Sequence, residues 1–277
     1  MNDAVDCAPL ARGVRIGAWQ IVGVAERGPY VCRYLAEDAR RRVVLQELLP
    51  QAFVRRDGHA VQARDAEDRT TLRWWLRNYL DKTAALAPLA QAGLARVLDG
   101  FEANGTGYAV LEHIPGETLA ERVRARGALD WRDYLAALRP VVNGLAEAHA
   151  QNLVWRDISP AQIVLRADGR AALSAFGPLR APVRFRAQTL ISTTAPAYAA
   201  PEELAAAGTI GAIGPWTDAY ALAASSAYAL FGRVPPDAAQ RAQAPLAFAF
   251  GDPLPAATRA VLEAALGAPA ESRPGLA

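Results

Sequence analysis

The stretch from Leu153 to Leu165 reads LVWRDISPAQIVL, and three further segments follow it in a fixed order. They read AALSAFGPLR (171–180), TAPAYAAPEEL (194–204) and GPWTDAYALAASSAYALFGRVPP (214–236). The segments 171–180 and 194–204 combine short apolar runs with turns that contain glycine or proline, which indicates loops between short elements. The last has the length and apolar content of a buried helix.

Upstream of this region the sequence predicts a sheet with one helix. Between Trp19 and Leu49, three apolar runs of strand length are separated by turn-like AERGP and charged EDARRR. Thr70–Leu89 has apolar residues at helical spacing, and two further strand-like runs are joined by Asn104-Gly105, a strong hairpin signal. Helical periods resume over Thr118–Arg126 and Trp131–Ala150. A five-stranded antiparallel sheet is therefore expected to precede a mainly helical half.

The order and spacing of these segments resemble the bacterial serine/threonine protein kinases along essentially the whole chain. That family shows H-R-D-x-K-P-x-N, D-F-G, A-P-E and W-x-D-x-Y-[AS]-L in succession, after V-A-I-K on its third strand. The resemblance implies an α+β, bilobal protein-kinase-like fold, with an N-lobe in residues 1–111, a hinge at 112–117 and a C-lobe at 118–277. Because the family's last helix would only start near residue 277, we expect the chain to be part of a longer protein.

Composition excludes several classes of function. A net charge of +2 with scattered arginines does not favour nucleic acid as a partner. Cys7 and Cys32 cannot form a disulfide framework, and their spacing to the three histidines matches no metal site. The chain contains neither a signal peptide pattern nor a run of about 18 apolar residues, and Ala219–Phe231 is better explained as a buried helix. We therefore predict a cytoplasmic chain with no membrane segment.

The resemblance allows the phosphate-binding groups of the family to be checked one by one. Such kinases use a glycine loop over the phosphates and a strand lysine held by a helix glutamate. Here Glu26, Gly28 and Val31 fill the three glycine positions, and Gln46 replaces the lysine. An acidic first residue repels phosphate and a branched third residue crowds it. Val44 replaces the small residue beside adenine, where it either narrows the pocket or packs as an ordinary strand valine.

Lys82 occupies the position of the helix glutamate, and it is the single lysine among the 30 lysines and arginines of the chain. Two interpretations remain open at this stage. Lys82 is either a solvated residue on a helix face, or it points inward toward Gln46 or an acid such as Glu47.

The catalytic loop and the metal-binding positions are also altered. Asp157 matches the family's catalytic acid, and Arg156 matches the arginine that contacts an activation-loop phosphate. Trp155, Ser159 and Gln162 replace histidine, lysine and the metal-binding asparagine. D-F-G reads Ala175-Phe176-Gly177, so the magnesium-binding carboxylate is absent. We therefore expect no metal site, and no cofactor such as Mg-ATP in the usual geometry.

Three sets of residues summarise these expectations. The degenerate catalytic positions are Gln46, Lys82, Asp157, Ser159, Gln162 and Ala175. The degenerate nucleotide cleft comprises Glu26, Gly28, Val31, Val44, Gln46, Leu111, Glu112 and His113. The retained structural residues are Arg156, Phe176, Gly177, Glu202, Asp218 and Arg273, with Glu202 of Ala200-Pro201-Glu202 paired to Arg273 in a buried ion pair.

The loop between Gly177 and Ala200 contains four candidates for phosphorylation, Thr189, Ser192, Thr193 and Thr194. A partner kinase acting on them would create charge that nearby arginines can pair with. The alternative is an ordinary polar loop.

These residues lead to a functional expectation. We predict a pseudokinase, a non-catalytic binding and regulatory module in bacterial signalling or a secretion-type assembly, whose partner is a protein such as an active kinase. The alternative is an unorthodox nucleotide-dependent transferase, or a metal-independent nucleotide sensor, that uses Lys82 and Asp157.

Overall fold

The structure, a computed structural model, describes residues 7–178, 195–204, 213–243, 254–267 and 269–276. The described residues form two compact units. The first unit contains the residues up to 90 together with 96–113, and the second contains 91–95, 114–177 and the described residues from 195 onward.

The first unit is built on a six-stranded antiparallel sheet and a separate two-stranded hairpin. Its strands are β1 (Arg15–Ile16), β2 (Trp19–Arg27), β3 (Val31–Glu37), β4 (Arg42–Leu48), β5 (Val54–Asp57), β6 (Ala60–Ala63), β7 (Val97–Ala103) and β8 (Thr106–Glu112). The large sheet has the order β1-β2-β3-β4-β8-β7, and β5 pairs with β6. The predicted five strands are present; the prediction missed the two-residue β1, which pairs with the start of β2.

Tight turns close the β7–β8 and β5–β6 hairpins, and a hydrogen bond joins one hairpin to the other. Asn104 and Gly105 join β7 to β8 with φ values of 53° and 74°, which confirms the predicted hairpin and matches a type I′ turn. The β5–β6 hairpin was not predicted, although its Asp57-Gly58 is a turn signal of the same kind. The N–H of Val61 on β6 donates to the carbonyl of Asn104 at 2.7 Å. The small hairpin is thereby attached to the β7–β8 turn.

The long helix α1 spans Ala66–Leu86. It begins four residues before the predicted start because the carboxylate of Asp65 accepts the N–H of Asp68 at 2.8 Å and caps the helix. It ends at Leu86, two residues before Pro88, where the sequence predicts the end of the helix. Its buried face includes Leu72, Trp75, Tyr79, Lys82, Thr83 and Leu86.

Both cysteines belong to the core of the first unit. Cys7 and Cys32 are free and fully buried among apolar side chains. Burial raises the pKa of Cys32 to about 11, so its thiol stays protonated at neutral pH.

The second unit is mainly helical, as predicted. Its helices are α2 (Leu119–Arg126), α3 (Trp131–Ala150), α4 (Pro201–Leu204), α5 (Pro215–Phe231), α6 (Ala238–Gln243) and α7 (Ala256–Ala265), with a 3-10 helix at Ala270–Ser272. Strands β9 (Glu117–Thr118), β10 (Ile163–Leu165) and β11 (Ala171–Leu173) form a small sheet in the order β11-β10-β9. Most of α5 is buried, as expected for Ala219–Phe231. In the part of the chain that the structure describes, no helix combines the length and the apolar character that crossing a membrane requires.

Residues 91–95 belong to the second unit because they pack against α3 and β11. The N–H of Ala95 donates to the carbonyl of Leu173 at 2.8 Å, and Leu94 forms a parallel bridge with the same residue. A Cβ atom on Gly93 would lie 2.0 Å from the carbonyl oxygen of Pro140 in α3. The close approach of the segment to α3 therefore requires glycine.

A buried ion pair connects the start of α4 to the end of the described chain. The guanidinium of Arg273 donates to both carboxylate oxygens of Glu202, at 2.8 and 3.1 Å. Both side chains are almost completely buried. The hydroxyl of Thr217, at the start of α5, donates to Glu202 at 2.8 Å, so one carboxylate joins three segments.

Gly93→Ala is expected to destabilise the second unit, because the added methyl group collides with backbone atoms that cannot rotate away. The cost of such overpacking is about 2 kcal/mol, which corresponds to a fall of about 5 °C in the thermal unfolding midpoint. Gly23→Ala is the control, since nothing lies within 4 Å of its added Cβ. An unchanged midpoint for Gly93→Ala would contradict the packing described here.

Glu202→Gln is expected to lower the free energy of unfolding by about 3 kcal/mol, because it leaves the buried charge of Arg273 without its counter-ion. Urea denaturation followed by circular dichroism measures this loss. The control is Arg170→Gln, which breaks an exposed pair with Asp168 and should cost no more than about 0.5 kcal/mol. Equal losses in the two variants would refute a special role for the buried pair.

Candidate functional site

Gln46, the residue in the position of the family's lysine, lies in a polar row that crosses three strands of the first unit. Strand pairing places Glu26 of β2 opposite Arg33 of β3, and Arg33 opposite Gln46 of β4. The Nε of Arg33 donates to Oε1 of Gln46 at 2.7 Å, and its Nη1 donates to the carboxylate of Glu26. Arg33 and Gln46 are buried, whereas the side chain of Glu26 is 38% exposed. A positive charge therefore lies beside Gln46 although Gln46 itself is neutral.

Helix α1 holds the inner end of this row through Tyr79. The amide of Gln46 donates to the Tyr79 hydroxyl at 3.1 Å, and that hydroxyl donates to the Gln46 backbone carbonyl at 3.0 Å. Burial raises the pKa of Tyr79, so the hydroxyl remains a donor at physiological pH. Lys82 lies one turn further along α1 and is only 5% exposed. The interpretation of Lys82 as a solvated residue is therefore wrong.

The β2–β3 turn is closed by contacts within the first unit. The N–H of Gly28 donates to the carbonyl of Val31 at 2.9 Å, so this amide is already used inside the turn. The side-chain amide of Gln51 donates to the Gly28 carbonyl at 2.7 Å, and the N–H of Leu49 donates to the Tyr30 carbonyl at 2.7 Å. The segment after β4 thereby holds the turn in place.

Glu47 follows Gln46, and its carboxylate accepts its hydrogen bonds on the other side of the sheet. Its carboxylate accepts hydrogen bonds from the hydroxyls of Tyr34 and Tyr108, each at 2.7 Å, and from Arg56 at 2.6 Å. Burial and this carboxylate raise the pKa of both tyrosines. The cluster ties β3, β4, β5 and β8 together, which is a structural task for Glu47.

The remaining residues of the predicted cleft lie on β3, β4 and the end of β8. Val31 and Leu111 are buried, and Val44 is partly exposed and pairs with Leu111. Glu112 exchanges hydrogen bonds with the backbone of Arg96. Burial and the charge of Arg42 lower the pKa of His113.

In the second unit, Asp218 organises the loop that contains Arg156 and Asp157. One oxygen of its fully buried carboxylate accepts the N–H of Trp155, the other accepts the N–H of Arg156, both at 2.7 Å, and His149 contacts it at 2.8 Å. Arg156 and Asp157 have φ values of 60° and 62°, a strained conformation for residues other than glycine. The carboxylate thus stabilises a backbone that would otherwise relax.

The charge of Arg156 is neutralised by Glu203. The two side chains form a buried ion pair with a distance of 3.4 Å. The resemblance implies that Arg156 contacts an activation-loop phosphate, and the structure places the carboxylate of Glu203 beside it. The candidates for phosphorylation, Thr189, Ser192, Thr193 and Thr194, lie outside the described residues.

The residues at the family's metal-binding positions do not fit a protein-held divalent cation. Ala175 offers only a methyl group, and Oε1 of Gln162 accepts the hydroxyl of Ser174 at 2.8 Å. Across the described ranges, no three His, Cys, Asp or Glu side chains are grouped as metal ligands. Ser159 is buried and its carbonyl accepts the N–H groups of Gln162 and Ile163. No chemical step is therefore assigned to a metal held by these residues.

Trp155 and Phe176 form the apolar part of this loop. The indole N–H of Trp155 donates to the carbonyl of Ala175 at 2.6 Å, and its ring meets Phe176 edge to face. The N–H of Gly177 donates to the Trp155 carbonyl at 3.1 Å. The tryptophan that replaces the family's histidine thus connects the two loop segments directly.

Two residues of the site were not identified from the sequence. Arg33 is one of many arginines, and only its register opposite Gln46 on a neighbouring strand indicates a role. Glu203 follows the recognised Glu202 and has no motif of its own, and both acids lie in the short helix α4.

Comparison with known proteins identifies the family. The sequence profile described as "Protein kinase domain" matches residues 58–248. Serine/threonine-protein kinase PknL of Mycobacterium tuberculosis is 35% identical over 132 residues, which are 47% of this chain and 33% of that protein. Serine/threonine-protein kinase PrkC of Bacillus subtilis is 28% identical over 166 residues, or 60% of this chain and 23% of that protein. The chain thus spans about a third or less of the length of these relatives.

A solved structure supports the fold. The chain described as "PpkA-294 apo form" superimposes with a TM-score of 0.74 and 23% sequence identity, covering 96% of both chains. The kinase-like fold predicted from the sequence is therefore confirmed, although the large sheet has six strands and not five.

The comparisons also correct the sequence-based expectation that the chain is a catalytically inactive kinase homologue. The relatives that match it are named serine/threonine-protein kinases, and this points to kinase activity rather than to its loss. The substitutions at Gln46, Gln162 and Ala175 are real, but they do not by themselves establish inactivity. Since the profile covers more than half of the 277 residues and the fold agrees, the chain belongs to the protein kinase domain family.

Proposed function

We propose that this chain is a phosphoryl-transfer and regulatory domain of bacterial serine/threonine signalling, in which Arg33 holds the phosphate of the donor nucleotide. Its partner is a protein, such as another kinase or a component of a signalling or secretion assembly. Family membership and the names of the relatives support the reaction class. The observation that carries the proposal is the position of Arg33 beside Gln46.

The chemistry of Arg33 suits this task. A guanidinium keeps its positive charge at physiological pH, and its planar fork of N–H groups matches the oxygens of a phosphate. Arg33 is 3% exposed and anchored by Gln46 at 2.7 Å, so its position is defined before any ligand arrives. A preorganised charge of this kind is more effective than a mobile surface arginine. Gln46 then serves to orient Arg33, since it has no charge of its own.

Asp157 supports the transfer part of the proposal. In the reaction, a hydroxyl oxygen of the acceptor forms a bond to the γ-phosphorus while the bond from that phosphorus to the bridging oxygen breaks, and ADP leaves with the electron pair. The proton of the hydroxyl passes to the carboxylate of Asp157. Because Gln162 and Ala175 are not charged, we expect a rate below that of kinases with the full set of ligands.

The ion pair of Arg156 with Glu203 favours control by a partner. A phosphate introduced by phosphorylation can neutralise an arginine of this kind through charge-assisted hydrogen bonds. Here the carboxylate of Glu203, a residue of the chain itself, contacts the arginine. We therefore propose that association with the partner, and not phosphorylation of residues 189–194, regulates the domain.

Arg33→Met is expected to remove most of the thermal stabilisation that ATP produces, because it deletes the proposed phosphate contact. A charge-assisted contact of this kind contributes about 2 kcal/mol, which corresponds to a loss of roughly thirtyfold in affinity. Thermal shift and isothermal titration with ATP, with and without Mg²⁺, measure the effect. Arg33→Lys should recover part of the binding because it restores the charge.

The matched control is Arg42→Met, which removes an arginine from the same sheet that forms an exposed pair with Glu37. This variant should bind ATP as the unaltered protein does. If Arg33→Met also binds ATP unchanged, the proposed phosphate contact is wrong.

Asp157→Asn is expected to abolish transfer of labelled phosphate from ATP to the chain itself or to a basic acceptor protein, while ATP binding is retained. The reason is that an amide cannot accept the hydroxyl proton. The unfolding midpoint of the variant verifies that the loop is intact. Equal transfer by the variant and the unaltered protein, or no transfer by either, would contradict the catalytic part of the proposal.

A further inference from the structure

A groove in the first unit is separate from the polar row of Arg33. It lies between β6 and the first turns of α1 and has a volume of about 520 Å³. Arg55, Arg64, Arg69 and Arg73 line it together with the apolar side chains of Leu72 and Leu76. The four arginines have no part in the roles described above.

The arginines of the groove differ in how their guanidinium groups are held. Arg64 is held by the carbonyls of Val54 and Gln51, so it forms part of the wall. Arg69 and Arg73 lie one helical turn apart and are exposed. Within the described ranges, neither guanidinium forms an ion pair or a hydrogen bond, whereas the next arginine on the helix, Arg77, pairs with Asp81. Two adjacent cationic groups therefore remain available to an incoming anion.

The two arginines lie beside apolar side chains of the same helix. Arg69 lies in the first turn of α1 and Arg73 in the second, and the partial positive charge at the start of the helix is already met by Asp65, Glu67 and Asp68. The same helix contributes Leu72, which is buried, and Leu76, which is partly exposed at the groove. An anionic group and a neighbouring apolar side chain can thus be bound together.

We propose that this groove binds a phosphorylated serine or threonine segment of a partner protein, with Arg69 and Arg73 holding the phosphate and an apolar neighbour of the phosphorylated residue resting on Leu76. A phosphate carries close to two negative charges at neutral pH, and paired arginines are a frequent means of recognising it. The proposal concerns a docking site and does not depend on Arg33 or on phosphoryl transfer.

The overall charge of the groove favours a phosphopeptide over a nucleic acid or an anionic membrane. Its lining also contains Asp65 and Glu102, so four arginines face two acids. The remaining excess of two positive charges matches one phosphate. Nucleic acid and acidic lipid surfaces are bound by larger basic patches, in which several phosphates are neutralised together.

The test uses a fluorescein-labelled short peptide in which a phosphoserine lies between two leucines, and the unphosphorylated peptide beside it. Fluorescence anisotropy at physiological salt is expected to show saturable binding of the phosphopeptide and at least tenfold weaker binding of the other. Arg69→Gln and Arg73→Gln should each weaken binding about tenfold, which is 1.4 kcal/mol. The matched control is Arg77→Gln, which removes the same charge one turn further along α1 and should leave binding unchanged.

Several outcomes would overturn the proposal. They are equal affinity for the two peptides, no saturable binding below about 1 mM, and an equal loss with Arg77→Gln. Stronger binding of single-stranded DNA, or of phosphatidylserine-containing vesicles, with the same dependence on Arg69 and Arg73 would assign the groove to another class of partner. Because both arginines are exposed, the variants should keep the unfolding midpoint of the unaltered protein, so loss of fold does not confuse the result.

Discussion

The buried guanidinium of Arg33 is the constraint on which the arrangement of the first unit depends. A charge that is almost completely removed from water must be compensated by hydrogen bonds and an opposite charge. Glu26 and Gln46 provide both from the two neighbouring strands. Tyr79 then fixes Gln46 from α1, so the register of three strands and the position of the helix are coupled through one side chain.

The second unit follows the same rule with different residues. Asp218 holds the backbone of Trp155 and Arg156 in a strained conformation, Glu203 neutralises the side chain of Arg156, and Glu202 is paired with Arg273. These buried charges are all paired, and removing one member of such a pair exposes the other to an apolar environment. This explains how the loop around Asp157 retains its shape although several neighbouring residues differ from those of the family.

The fold could be predicted well from the sequence, and the site only in part. The helices at 131–150 and 215–231, and the Asn104-Gly105 hairpin, were recognisable because periodicity and turn chemistry are local properties. Motif order then identified the family. Arg33 escaped recognition because its role depends on pairing across strands, which no local pattern records. The orientation of Lys82 could not be predicted either. Whether a face of α1 is buried depends on which other elements pack against it, and the sequence of the helix does not show this.

Motifs alone predict an inactive kinase homologue, an expectation that the relatives named as kinases correct. A motif compares each residue only with the group that the family normally has at that position, so Gln46 counts as the loss of a charge. The structure shows that a charge is present within hydrogen-bond distance, on the adjacent strand. One position of an alignment describes only the residue at that position. It does not show a charge that a neighbouring strand contributes to the same place.

The contact between Glu26 and Arg33 has a consequence for any anion that binds there. The guanidinium already has a carboxylate partner, so a phosphate must compete with an internal ligand rather than fill an empty position. Binding becomes an exchange of one negative group for another, so the contact that Arg33 loses with Glu26 reduces the net free energy of binding. Glu26 is partly exposed, so the displaced carboxylate can return to water at little cost. The side chain that repels phosphate in a sequence comparison would thereby act as an internal competitor, which raises the concentration of anion needed to occupy the site.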